Sequence, residues 1–276
     1  VAAPHCGSPF HHKFKQNCWT AAHNKFNHAA MQGSDEKPGQ YLIAKLNAFT
    51  RIAGESAEAV NELASRRLVS VDRGQDIISE GEEPRTVNLL VDGWACRYKM
   101  MEDGRRQILA FFVPGDLADL HVYILNAIDH SISAITPVRY ARLAPKEFEE
   151  ISDAHPKLLR ALWWESLVTD SIQREWLVSV GQRDALESVA HLACELFLRL
   201  KIVGLCEGNR CDFPLTQVDI ADALGMTQPH VSRTITELNK TGVATLRQGK
   251  LEVKYLNKLK KLAVFNSNYL HHLHEE

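Results

Sequence analysis

The stretch from Leu215 to Ile235 constrains this chain most, because it reads as two short helices joined by a tight turn. Ile220, Ala221 and Leu224 fall on one face of the first helix, and Thr216 stands where a side-chain oxygen caps its start. Gly225 follows the small Ala221 by four residues, so a second helix can cross closely over the first. Thr227 is placed to cap that second helix, and Pro229 sits in its first turn, where a missing N–H costs little. Val231, Ile235 and Leu238 recur at intervals of four and three and face inward, which leaves Gln228, His230, Ser232, Arg233 and Thr236 pointing out. Short hydrogen-bonding side chains with one arginine suit the major groove of DNA, where base edges present donors and acceptors. Plain packing of two helices fits the same spacing, so the flanking sequence has to decide.

It favours DNA. Gly242–Val253 reads as two short strands around a turn at Gln248-Gly249, with Arg247 and Lys250 at the tip, a wing placed to touch phosphates. From Met226 to Lys261 there are 8 Lys/Arg against 2 Asp/Glu, so this segment carries +6 while the whole chain carries −2. A local positive excess is what contact with a phosphate backbone needs, and the near-neutral balance of the chain as a whole restricts that contact to one place.

The 276 residues, 45% of them hydrophobic, suffice for two cores of ordinary size. No apolar run is long enough for a membrane span, and the first residues lack the apolar stretch of a secretory signal. The six cysteines are too scattered for a disulfide scaffold, and a reducing, cytoplasmic setting is expected. Residues 1–40 read as an extension and linker: 1–33 hold five histidines, three lysines, two cysteines and no acidic residue, and Gly33–Gly39 is a turn-rich link.

Residues 41–66 show helical spacing at Leu42, Leu46, Phe49, Ala59, Val60 and Leu63. From Leu68 to Leu143 the pattern changes to short β-like runs split by turns at Gly74, Gly81, Gly93, Gly104 and Gly115, which suggests a small antiparallel barrel or jelly roll. A long helix follows from Pro156 to about Val180, with apolar residues on more than one face. Such a helix needs two partners, its own barrel and a second copy of the chain, and Trp163, Trp164 and Trp176 are then core or interface residues. A further helix runs to about Val203 and leads through a loop, Gly204–Pro214, into the helix-turn-helix.

In this order the chain resembles the cAMP receptor protein/fumarate-nitrate regulator (Crp/Fnr) family, over roughly residues 41–253. The resemblance rests on Ile78-Ser79-Glu80-Gly81-Glu82, Val91-Asp92-Gly93, Gly104, Val113-Pro114-Gly115-Asp116-Leu117 and Val231-Ser232-Arg233, taken in sequence. It implies an α+β fold: an amino-terminal antiparallel β jelly roll, a long dimerisation helix and a carboxy-terminal winged helix-turn-helix. The domains expected are a sensory barrel of the cyclic-nucleotide-binding kind at 41–155, the dimerisation helix at 156–182 and the DNA-binding domain with its tail at 183–276. The implied function is that of a homodimeric, sequence-specific transcription regulator without enzymatic activity, on a palindromic double-stranded site and in contact with RNA polymerase. Carried over residue by residue, Thr216 and Gln217 meet phosphate, Ser232 and Arg233 match the recognition helix, and Arg233 reads guanine through O6 and N7.

The departures concern the effector and one base. Cyclic-nucleotide binders of the family place a glutamate on the ribose and an arginine on the cyclic phosphate; this chain has Leu120 at the first place and His130-Ser131 at the second. These replacements argue against cAMP. Leu120, His121, His130 and Ser131 are left as the candidate lining of a pocket for another small molecule, or of a ligandless core. In the recognition helix the family's frequent glutamate is replaced by Pro229, and Gln228 and His230 take over that contact, so the half-site differs at that base pair.

An alternative is a metal-, haem- or redox-responsive sensor that uses His5, Cys6, His11, His12, Cys18, His23 and His28, with DNA binding as its output. None of these falls into a recognised ligand spacing, so no metal site and no cofactor are assigned. No nucleophile–base pair, HExxH or phosphate-cradling loop points to a catalytic residue.

Overall fold

The computed structural model describes residues 37–118, 120 and 124–271. The expectations for the amino-terminal extension, and for His121, lie outside the described residues. Two helices come first, α1 (Gln40–Leu46) and α2 (Glu55–Arg66), each burying one apolar stripe. Eight strands follow: β1 (Leu68–Val71), β2 (Asp76–Ile78), β3 (Val87–Asp92), β4 (Ala95–Met100), β5 (Arg106–Phe112), β6 (Leu117–Ala118), β7 (Ser131–Ala134) and β8 (Val138–Leu143). They pair antiparallel in two four-stranded sheets of order β1-β8-β3-β6 and β2-β7-β4-β5, the strand order of a jelly roll. Its interior is closed by Leu90, Ala110, Phe112, Ile132, Val138 and Tyr140. Gly104, φ +84°, turns the β4–β5 hairpin, while Gly81 and Gly93, φ +87° and +84°, turn the chain from one sheet to the other.

The sequence reading did not anticipate α3 (Pro145–Ala154), which opens on a proline and covers the barrel with Phe148. Its apolar residues are few, so it has little periodicity to read. The long helix α4 (Pro156–Gly181) follows as expected. Then α5 (Ala185–Ile202) starts at a reciprocal cap: the Asp184 carboxylate accepts the Glu187 N–H at 2.8 Å, and Glu187 accepts the Asp184 N–H at 3.0 Å. Buried on all sides from Ser188 to Phe197, α5 is the central post of the carboxy-terminal half.

Gly204–Pro214 is more than the loop expected from sequence. It contains β9 (Cys206–Glu207) and β10 (Arg210–Asp212), a hairpin whose outer edge joins the wing. Strands of two and three residues carry no alternation long enough to register in sequence. Then come α6 (Gln217–Leu224), α7 (Gln228–Thr241), β11 (Ala244–Arg247), β12 (Lys250–Val253), α8 (Leu256–Leu262) and a short 3-10 helix, Ser267–Leu270. No helix among the described residues is long and apolar enough to cross a membrane.

One apolar core runs through Trp94, Phe111, Trp176, Leu196, Phe213 and Leu238, so the barrel, α4 and the last third share buried surface. Phe111 meets Trp176 edge-on at 5.6 Å, and Phe49 stacks on Trp164 at 5.4 Å. A chain of buried charges crosses the same seam. Lys45 of α1 pairs with Asp116, at 2.6 Å, and with Glu165 of α4. Arg199 of α5 pairs with Asp116 at 2.6 Å and with Glu195 at 3.2 Å, while Trp176 donates to Glu195 at 3.1 Å. Burial alone would push the Asp116 carboxyl up, but Lys45 and Arg199 hold it below its ordinary range. Glu165 and Glu195 are raised, by burial above all.

Candidate nucleic-acid interface

Each end of α6 is fixed by the residue its sequence supplies. The Thr216 hydroxyl accepts the Asp219 N–H at 3.1 Å, and Asp219 accepts the Thr216 N–H at 2.9 Å, a complete capping box. Gly225 ends the helix at φ +65°, and the Met226 N–H donates to the Ala221 carbonyl at 3.1 Å. Thr227 stands at the N-cap of α7 as expected, but its hydroxyl makes no capping bond. Pro229 in the first turn removes one N–H from those a cap would satisfy, and the exposed Thr227 side chain is left facing solvent.

Val231, Thr234 and Leu238 bury the inner side of α7, with Ile235 half-buried beside them. Gln228, His230, Arg233 and Thr236 are exposed on the other side, and Ser232 is half-buried. Arg233 has no hydrogen-bond or ion-pair partner among the described residues. Gln217 is half-buried at the first position of α6 beside exposed Thr216. The wing closes through Gln248 and Gly249, both at positive φ (+52° and +70°), which is the type I′ geometry of a two-residue hairpin. Arg247 is exposed at its tip, opposite half-buried Lys250. Recognition helix and wing thus leave a cationic, hydrogen-bonding surface uncovered.

Two pairings here carried no signal in the sequence. Lys250 pairs with Asp212 of β10. Arg106 of β5 donates to Asp222 at 2.7 Å and to Asp219 at 2.8 Å, and the Gln107 amide donates to the Ala223 carbonyl at 3.2 Å. The first helix of the helix-turn-helix is therefore tied to the barrel. Partners 38 residues apart, and 113 and 116 apart for Arg106, leave no local spacing to read.

The expected barrel residues are dispersed. Leu120, 7% exposed, packs with Leu42, Leu46 and Val60 in the layer between the barrel and its helices. Ser131 accepts the Glu80 N–H at 2.9 Å, and His130 Nδ1 lies 2.8 Å from Asp129. A cleft of about 400 Å³ opens elsewhere in the barrel, between Ile78, Glu82, Arg85, Asn88, Tyr140 and Arg142.

Comparison with known proteins places these parts in one context. The family profile of the cyclic nucleotide-binding domain matches residues 68–155, and that of the Crp-like helix-turn-helix domain matches residues 189–262. Among curated relatives, the transcriptional activator protein FnrL of Cereibacter sphaeroides is 31% identical over 187 residues, covering 67% of this chain and 74% of its own. The nitrogen fixation regulation protein FixK of Bradyrhizobium diazoefficiens is 31% identical over 184 residues, 66% and 76% of the two chains. Among solved structures, FixK2 from Bradyrhizobium japonicum superposes with a TM-score of 0.63 at 25% identity, over 71% of this chain and 96% of that one.

Proposed function

The chain belongs to the Crp/Fnr family of transcription regulators, and we propose that it acts as a homodimer on a two-fold symmetric DNA site. The observation that carries this reading is the uncovered face of α7, where Gln228, His230 and Arg233 stand exposed beside the wing. Arg233 reads guanine, Gln228, His230 and Ser232 read the neighbouring bases, and Thr216, Gln217, Thr227, Arg247 and Lys250 meet phosphates.

The dimer rests on α4. Trp163, Leu167 and Leu177 are 57%, 62% and 74% exposed, and Asp170 and Arg174 lie between them. Spacings of four and three residues make one seam of the coiled-coil kind, and no described element covers it. A second α4 laid parallel along this seam sets two recognition helices about the same axis, one helical turn of DNA apart. Residues 41–155 are then the sensory barrel, 156–182 the dimerisation helix and 183–276 the DNA-binding domain, in a regulator that meets RNA polymerase in the cytoplasm. The barrel residues argue against cAMP as the effector: Leu120 offers no acceptor to a ribose, and neither His130 nor Ser131 supplies a guanidinium fork for the phosphate. If another small molecule enters, Leu120, His121, His130 and Ser131 remain its candidate lining.

Selection of binding sites from random DNA, with and without cAMP, tests the reading. A palindrome recovered equally in both arms is expected; recovery only with cAMP would overturn the effector argument, and an asymmetric half-site would overturn the dimer. Leu167→Glu should shift the protein to monomer in sedimentation while its far-ultraviolet dichroism stays unchanged, and should weaken binding to the palindrome more than to a half-site.

A further inference from the structure

Four cysteines are described, and Cys206 and Cys211 differ from the others in facing each other. They are directly opposed across the β9–β10 hairpin. Gly208 takes φ +61° at the first position of its two-residue loop, the place for glycine in a type II′ turn. The closing pair of such a loop is Glu207 with Arg210, so Cys206 and Cys211 form the next, more closely spaced pair. Cα atoms there lie about 4.5 Å apart, within the range that a disulfide spans. Directly opposed side chains share one face of the sheet, so the two sulfurs point the same way.

Their surroundings are unequal. Cys211 is 4% exposed, packed in the core with Phe213 and Leu251, while Cys206 is only half-buried and its thiol lies 3.8 Å from the Phe197 carbonyl. The neighbouring Cys211 thiol and, with it, the charge of Lys201 bring Cys206 below the ordinary thiol range despite burial. The same contact, and then burial, pushes Cys211 up. One accessible sulfur prone to become a thiolate thus sits against a shielded sulfur that retains its proton.

We propose that Cys206 and Cys211 form a reversible dithiol–disulfide couple at the root of the wing, oxidised by hydrogen peroxide. The Cys206 thiolate attacks one peroxide oxygen; the S–O bond forms, the O–O bond breaks, and the departing hydroxide takes a proton to become water. The sulfur is oxidised to a sulfenic acid and the peroxide is reduced. The Cys211 sulfur then attacks the Cys206 sulfur; the S–S bond forms, the S–O bond breaks, and the hydroxyl leaves with the Cys211 proton as a second water. Two thiols and one peroxide give one disulfide and two waters, and a dithiol reductant reverses the change.

The bridge reports to DNA through β10, whose other edge pairs Cys211 with Leu251 and Asp212 with Lys250 on β12. A covalent S–S bond of about 2.05 Å locks β9 to β10 and so stiffens the strand against which Lys250 is paired. The chemistry of the couple stands apart from the DNA-binding reading; only this output rests on it.

The test treats the full chain with hydrogen peroxide, alkylates it and maps its peptides by mass. The expected result is a Cys206–Cys211 link that dithiothreitol reopens. Cys206→Ser should abolish it, and Cys211→Ser should leave a dimedone-reactive sulfenic acid on Cys206, both with unchanged dichroism. Recovery of both thiols alkylated after peroxide, or a link to any other cysteine, overturns the couple. In the wild type, oxidation should weaken binding to the selected site about threefold or more and reduction restore it, while Cys206→Ser responds to neither. A link with equal affinities in both forms overturns the output alone. A chain that fails to bind DNA in its reduced form instead removes the DNA-binding reading and leaves the couple intact.

Discussion

At the scale of single residues, the interface divides into groups that specify and groups that hold. Arg233 projects from α7 with no partner for its guanidinium among the described residues, so no bond to them has to break before it meets a base. Arg233→Ala should cost about 1–3 kcal/mol on the selected site and relax one base pair, measured by titration against single-substitution variants of that site. Equal loss on random DNA would remove its base-reading role. Lys250 differs, because Asp212 already holds it. Lys250→Ala should lower the salt slope of binding by about one and act alike on all sequences. Asp212→Asn should do the reverse, freeing the ammonium and removing the negative charge paired with it, and so steepen the slope and tighten random binding. An unchanged slope in both variants would take the wing out of the phosphate contacts.

At the scale of elements, conformation was legible wherever one residue type has one local use. Thr216 and Gly225 bound α6 as the sequence indicates, because a capping oxygen and a positive φ are local demands. Thr227 shows the limit: its type and position suit a cap, yet no bond forms, since the choice of partner belongs to the folded geometry. Strands of two and three residues and a helix with few apolar positions escaped for a different reason, because periodicity needs length. Glycines divide in the same manner. Gly104 has φ +84° in open space, whereas a Cβ on Gly115, φ +93°, would lie 2.7 Å from the Tyr41 carbonyl. Gly104→Ala should therefore cost about 1 kcal/mol, from backbone strain alone. Gly115→Ala should cost about 3 kcal/mol or more, since α1 must shift as well. Urea midpoints of the two variants check the difference, and equal costs would mean that α1 yields without penalty.

At the scale of the whole molecule, acid sensitivity follows from a histidine inside α5. Burial first, and then the charge of Arg183, push His191 down to about 3 from its ordinary 6.5. The fold prefers the neutral ring, so the stability it contributes is complete above pH 6.5 and is lost as pH falls from there towards 3. The slope in that window approaches about 1.4 kcal/mol per pH unit. Unfolding at about pH 7 and about pH 5 should show this loss, and His191→Gln should flatten it; an identical slope in the variant would assign the acid sensitivity to other groups. None of this was legible from sequence, where His191 is one polar residue on an apolar helix. The same holds for Lys45, Asp116, Glu165 and Arg199, which meet only because four distant segments converge.

Asp116 is the one carboxylate that receives Lys45, Arg199 and the Val113 N–H together, and so it splices the barrel to helices on either side of it in sequence. Removing one partner of a buried pair leaves the others uncompensated, at a cost of about 3–5 kcal/mol. Neither half can therefore melt and leave the other with its charges satisfied. Heated in a calorimeter, residues 37–271 should absorb their heat in a single peak, as one cooperative block and not as beads melting in turn along a string.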